Sequence, residues 1–192
     1  MTNKQETPAP AGPAPADAPF PPERKRCFDP VVNAQTRLLV LGSLPGEKSL
    51  EVQQYYGHRQ NKFWELLGAV LDVDLRSLSY DERLAALLEH GIGLWDVIAE
   101  AERVGSLDAA ICNASHNALV ELLGTLPNLR AIGFNGGTAA RLGRRQLQSC
   151  TVGVSLVDLP SSSPAHTVGF EHKLKVWRQL SNYLPENRSR LR

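Results

Sequence analysis

The sequence predicts an α/β fold, a three-layer αβα sandwich on a central four-stranded parallel sheet. Three observations carry that expectation. Four short apolar runs, at 37–41, 92–97, 130–134 and 154–159, have the length and composition of strands. The segments between them place apolar residues at helical spacing. The two kinds of segment alternate along the chain, which is the order of a parallel sheet covered on both faces. A length of 192 residues suits one domain with a sizeable core.

Residues 1–26 are rich in Pro and Ala and end in Arg24-Lys25-Arg26. Such a stretch buries too little to offset its ordering entropy. It reads as a disordered tail, either simply solvated or a basic arm that touches phosphates. The folded domain is expected over 27–187, with a disordered C-terminal tail at 188–192. Its first strand, at 37–41, leads into a Gly/Pro loop. A helix over 62–71 follows, with Phe63, Leu66, Leu67, Val70 and Leu71 on one face. The next helix, 80–90, opens with Ser79 and Glu82 in a capping-box pattern and stops at Gly91. After the strand at 92–97, a helix is expected over 115–123, closed by Pro127. The strand at 130–134 leads to a helix over 137–147 that carries Arg141, Arg144 and Arg145. The strand at 154–159 is broken by Pro160. The last helix, 170–184, carries Phe170, Leu174, Trp177 and Leu184 at helical spacing.

Ligands of open α/β sheets bind at loops that follow strand ends, so two loops draw attention. The first is Gly42-Ser43-Leu44-Pro45-Gly46-Glu47-Lys48-Ser49. It is not a Walker loop, because Glu47 stands where a Gly should precede the Lys and would aim an anion at an anion. No G-x-G-x-x-G occurs, so a dinucleotide fold lacks its fingerprint. The loop offers either a turn or backbone N–H groups for a ligand. Tyr55 and Tyr56 follow, as core aromatics or as stacking surfaces for a flat base. Asn61 stands before the helix of Phe63 and Trp64, where an amide can cap the helix, hold a water or read a base. The second loop is Pro160-Ser161-Ser162-Ser163-Pro164-Ala165-His166. It is either an ordinary polar loop or a clamp whose hydroxyls and N–H groups grip phosphates. A Ser–His hydrolase would need a G-x-S-x-G elbow, which is missing.

Other classes are disfavoured by composition. No apolar run approaches the roughly 20 residues of a membrane span, and the N-terminus lacks the apolar stretch of a secretory signal. Cys27, Cys112 and Cys150 are odd in number and scattered, which fits reduced thiols in a cytoplasm. They and the histidines show no metal-ligand spacing, so no metal is expected. A net charge of +1 means that nucleic-acid binding would need a local basic face. Arg141, Arg144 and Arg145 are the candidates for it.

Taken together these motifs resemble a family. The first loop, Gln54-Tyr55-Tyr56, Asn61-Lys62-Phe63-Trp64, Leu94-Trp95-Asp96-Val97-Ile98, Gly105-Ser106-Leu107-Asp108, Phe134-Asn135-Gly136 and 160–166 look like the hypoxanthine-DNA glycosylases, a branch of the uracil-DNA glycosylase superfamily. The likeness runs in order from about Val31 to Leu184. It implies a uracil-DNA glycosylase-like sandwich, no cofactor, and hydrolysis of the N-glycosidic bond of a deaminated base in DNA, hypoxanthine or uracil. It implies a monomer that needs no protein partner. Mismatch-specific relatives carry a catalytic Asn inside the first loop, where this chain has Ser43. The hypoxanthine branch uses the Asn that lands on Asn61. The resemblance thus implies Asn61 and His166 as catalytic. Gly42, Ser43, Leu44, Pro45, Gly46, Tyr56 and Phe63 would bind the base, and Ser161, Ser162, Ser163 and the three α-helical arginines would bind DNA. A non-catalytic nucleic-acid binding module, or a small-molecule nucleosidase of the same fold, is the alternative. The first would not need Asn61, and the second would not need the arginine face.

Overall fold

The computed structural model describes residues 24–148 and 153–185. Four strands form the expected parallel sheet: β2 (Leu38–Gly42), β3 (Ile92–Asp96), β6 (Ala131–Asn135) and β7 (Ser155–Leu159), in the order β3-β2-β6-β7. The central strand β2 is buried along its whole length. Alternate residues serve opposite faces, which is why it reads as an unbroken apolar run. Leu38 and Val40 join a core with Phe63, Leu66, Leu67, Leu174 and Trp177. That core lies under α2 (Phe63–Leu71), α3 (Tyr80–Glu89) and α6 (Phe170–Trp177). Leu39 and Leu41 join Ile132, Phe134, Ala139 and Leu147 on the other face, under α4 (Leu119–Gly124) and α5 (Gly137–Leu147). A further short helix, α1 (Glu47–Val52), follows the first loop.

The start and stop of α3 follow the sequence signals. Ser79 Oγ accepts the Glu82 N–H, and the Glu82 carboxylate accepts the Ser79 N–H and hydroxyl. Such a cap contributes about 1 kcal/mol. Gly91 follows with φ +73°, a left-handed turn that favours glycine.

Three expectations give way. Arg24–Arg26 is not tail: it is strand β1, paired antiparallel with β4 (Ile98–Glu102), which pairs in turn with β5 (Cys112–His116). This second, three-stranded sheet has the order β1-β4-β5. Charge complementarity holds β1 in register, since Arg24 and Arg26 both reach Glu100. Lys25 is buried, while Arg24 and Arg26 stay exposed in their pairs with Glu100. The rest of the N-terminal tail and the tail at 188–192 lie outside the described residues. The helix expected at 115–123 begins only at Leu119, because the backbone of 112–116 completes the β4 edge. The last helix tightens to a 3-10 turn over Arg178–Tyr183. No helix of the described residues is long and apolar enough to cross a membrane.

Candidate active site

Parallel strands end on one side of the sheet, and there their last residues meet. Gly42 ends β2, Asp96 ends β3 and Asn135 ends β6, while the loop 160–166 leaves β7. Together with the first loop, Tyr55, Tyr56, His58, Asn61 and the segment Ser106–Asp108, they line a cavity of about 430 Å³. That volume lies within the ~300–1,000 Å³ of small-molecule sites.

Asn61 faces the cavity and also ties down the start of α2, one residue ahead of the N-cap Lys62. Its Oδ1 accepts the Phe63 N–H at 3.0 Å, and its own N–H donates to the His58 carbonyl at 2.9 Å. The bond to Phe63 fixes the amide's orientation, so the NH2 end points away from the helix as a donor. The adjacent Lys62 N–H donates to the Ser162 carbonyl at 3.0 Å. Through that bond the Asn61 segment and the serine loop are held to one another.

Tyr56 is a wall of the cavity and Phe63 is not. The two rings stack with centroids 3.6 Å apart and planes 10° apart. Phe63 is fully buried, with Trp64 and Trp177 edge-on against it. Its place on the inward face of α2 puts it behind Tyr56, so the expectation that it touches the base is corrected. Tyr56 has φ +54°, an uncommon conformation for a non-glycine residue. Its neighbours hold it there. The Tyr55 N–H donates to the Tyr80 hydroxyl, the Tyr55 hydroxyl donates to the Asp29 carbonyl, and the Gly57 N–H donates to Ser49 Oγ. Burial, then the carboxyl of Asp96, pushes the Tyr56 phenol well above its ordinary range, so its hydroxyl stays protonated.

Of the three serines in the second loop, one is turned inward. Ser162 is buried; its Oγ accepts from Asn135 Nδ2 and its N–H donates to Asn135 Oδ1, both at 2.8 Å. Ser161 and Ser163 hydroxyls accept N–H groups of their own loop. The hydroxyl of Ser162 is therefore engaged inward. Lys173, buried on α6, donates to the Ser163 carbonyl. Burial lowers its pKa, and Lys62 lowers it further. His166 stands exposed at the rim.

The first loop is anchored from below. Ser43 Oγ donates to Asp108 at 2.7 Å. The buried Arg103 guanidinium donates to the Leu44, Pro45 and Gly105 carbonyls. Lys25 of β1, also buried, donates to the Gly105 carbonyl at 3.0 Å and pairs with Glu47 at 2.7 Å. Arg103 thus satisfies two carbonyls that the Gly/Pro loop leaves without partners, and Lys25 ties Gly105 to Glu47 at the loop's end.

A model of the uracil DNA glycosylase superfamily matches residues 30–181. This chain belongs to that superfamily. A hypoxanthine DNA glycosylase of Methanosarcina acetivorans is 37% identical over 153 residues, 80% of this chain and 95% of the relative. Another from Methanosarcina barkeri is 44% identical over 113 residues, 59% of this chain and 72% of the relative. The solution NMR structure of a candidate uracil DNA glycosylase from Methanosarcina acetivorans superposes with a TM-score of 0.75 at 35% identity. It covers 83% of this chain and 97% of that one.

Within this glycosylase fold, Gly42–Gly46, Tyr56, Asn61, Ser161–Ser163 and His166 come together around one cavity. The arginines of α5 do not line it. Arg144 pairs with Asp158, donates to the Leu156 carbonyl and lies over the Phe134 ring, while Arg141 and Arg145 are exposed on the same helix. Asp96 and Asn135 stood within the quoted motifs and Lys25 within the basic arm, but none of them, nor Arg103, was expected at the site. For Asp96 and Asn135 a signal existed: each is a polar residue ending an apolar strand, beside the end of β2. Arg103 and Lys25 carried none, since their partners are backbone carbonyls and Glu47 far along the chain.

Proposed function

We propose that this chain is a monofunctional DNA glycosylase that removes a deaminated base, hypoxanthine first and uracil second, and leaves an abasic site. The observation that carries the reading is the convergence of Tyr56, Asn61 and Asn135 on one cavity at the carboxyl end of the sheet. A flat wall and two uncharged amides suit a neutral, hydrogen-bonding base. The names of the two Methanosarcina relatives supply hypoxanthine as the first substrate.

A base within a duplex is extruded before its glycosidic bond is reachable. Tyr56, backed by Phe63, gives the extruded base a rigid stacking surface. Asn135, locked by its two bonds to Ser162 and set beside the Tyr56 hydroxyl, presents its remaining lone pair to the base edge. Asn61 directs its NH2 group into the cavity and orients the attacking water or the sugar. The C1′–N bond breaks with its electron pair on the base, and water oxygen takes its place on C1′. The water's proton ends on the base. The backbone of Ser43–Gly46, held by Arg103 and Lys25, lines the same space. His166, at the exposed edge of the cavity, meets the DNA strand. Lys48 at the rim and the exposed Arg59 contact phosphates, with Arg141 and Arg145 as a second basic strip.

The test is excision from labelled oligonucleotides that hold one hypoxanthine, uracil or xanthine, in single and double strands, followed by alkaline cleavage. Strand scission at the hypoxanthine position is expected. Binding without scission on every substrate would refute the enzyme and favour a binding module.

A further inference from the structure

The pocket floor holds a carboxyl group that none of these roles uses. Asp96 ends β3, and the sheet register places it beside Gly42. Its side chain occupies the space that a Cβ at Gly42 would take; such an atom would collide with Asp96 Oδ1 and come within 3.2 Å of the Tyr56 hydroxyl. Asp96 lines the cavity yet is only 4% exposed, and its Oδ2 has no hydrogen-bond partner among the described residues. It makes no ion pair there either. Arg103 spends its guanidinium on the carbonyls of Leu44, Pro45 and Gly105.

Ionising a carboxyl in such a place is costly. The groups that face it are Asp108, Arg103, Tyr55, Tyr56 and the Cys27 thiol. Burial raises its pKa most, the Asp108 carboxylate raises it further, and Arg103 opposes them; the result is about 7. A protonated carboxyl is a donor as well as an acceptor.

We propose that Asp96 acts as a neutral carboxylic acid whose O–H donates a hydrogen bond to the extruded base as its glycosidic bond breaks. The proposal rests on the glycosylase reading above. The breaking bond leaves its electron pair on the base, so the base's carbonyl oxygen and ring nitrogens gain negative charge. A donor fixed against them in a dry site is stronger in the transition state than in the ground state. An ionised Asp96 would act in the opposite sense and repel the departing base. The proton stays on Asp96 throughout, and the base is neutralised by the proton of the attacking water. Gly42 is part of the device, because any side chain there would displace the carboxyl.

The experiment compares wild type, Asp96→Asn and Asp96→Ala in single-turnover excision of hypoxanthine between pH 5.5 and 9. Circular dichroism checks the fold, and carboxyl carbon NMR follows the Asp96 titration. The wild-type rate is expected to fall about tenfold per pH unit above the Asp96 pKa. The amide of Asp96→Asn keeps an N–H donor and does not titrate. It should stay within about tenfold of wild type at pH 6 and lose the alkaline fall. Asp96→Ala should lose about a hundredfold or more at pH 6. A carboxyl that titrates near 4, an alkaline fall that persists in Asp96→Asn, or an Asp96→Ala enzyme as fast as wild type would each overturn the proposal. So would a rate that rises with pH while Asp96→Asn is inactive, since the carboxylate would then be the working form. Wild type that releases no lesion base at any pH refutes the glycosylase reading and this proposal with it. An active wild type indifferent to Asp96 refutes this proposal alone.

Discussion

Asn61→Ala separates two jobs that one amide performs. The structure shows a single side-chain bond at the start of α2, from the Phe63 N–H to Asn61 Oδ1, just ahead of the N-cap Lys62. Its loss costs about 1 kcal/mol. For a domain of this size that is a drop of roughly 2–4 °C in Tm. Against a typical stability of ~5–15 kcal/mol the variant stays folded. Its chemistry should suffer far more. A loss of about two to four decades in single-turnover excision corresponds to roughly 3–5 kcal/mol of transition-state stabilisation. Asn61→Asp is the control, because it keeps that acceptor and loses the NH2 donor. It should melt near wild type and still be slow. The assays are hypoxanthine release from a labelled duplex, fluorescence anisotropy for DNA binding, and thermal melting. Near-normal excision by folded Asn61→Ala would refute the catalytic role. A melting loss large enough to unfold the protein would show that this bond alone explains the defect.

Tyr56→Ala should weaken excision of hypoxanthine and uracil alike, by roughly the 1–3 kcal/mol of one base–aromatic stack, whereas Tyr56→Phe should change little; full activity of Tyr56→Ala on both lesions would remove it from the wall. Arg103→Ala leaves the Leu44 and Pro45 carbonyls without their charged donor, Gly105 keeping only Lys25, and should destabilise the protein by about 2–4 kcal/mol in urea unfolding. Arg103→Lys should not restore it, because an ammonium cannot span the same fork of acceptors. The buried Asp96 carboxyl, raised from 3.8 to about 7, is easier to ionise in the unfolded chain. Stability should therefore be greatest below the unfolded pKa and fall as pH rises through about 7. Asp96→Asn should remove that fall, worth up to ~4 kcal/mol at pH 8; a wild-type unfolding curve indifferent to pH across this window would contradict it. Neutralising Lys48 or Arg59 should each shallow the salt dependence of DNA binding by about one unit of log–log slope, and an unchanged slope would place the phosphates elsewhere.

The sheet and its helices were legible in the sequence because their signals are local. Burial on both faces makes β2 a continuous apolar run, and Ser79 with Glu82 announces a helix start three residues apart. The motif residues of the first loop, Tyr56 and Asn61 were legible for the same reason, as polar or aromatic residues following a strand end. What the tertiary structure decided depends on residues distant in the chain. Phe63 and Tyr56 are both aromatics of one motif, and only packing sends Phe63 behind and leaves Tyr56 facing the cavity. Arg24-Lys25-Arg26 reads as a solvated basic arm until β4 supplies Glu100 opposite it and the first loop brings Glu47 within reach of Lys25. Ser162 reads as a phosphate ligand until Asn135, 27 residues away, takes up its hydroxyl and N–H. Asp96 is the clearest case. A carboxyl's charge is set by what surrounds it, and its surroundings are Gly42, Tyr56, Arg103 and Asp108. Periodicity can report which face of a strand is buried, but the dielectric and the charges around one side chain exist only once the chain has folded.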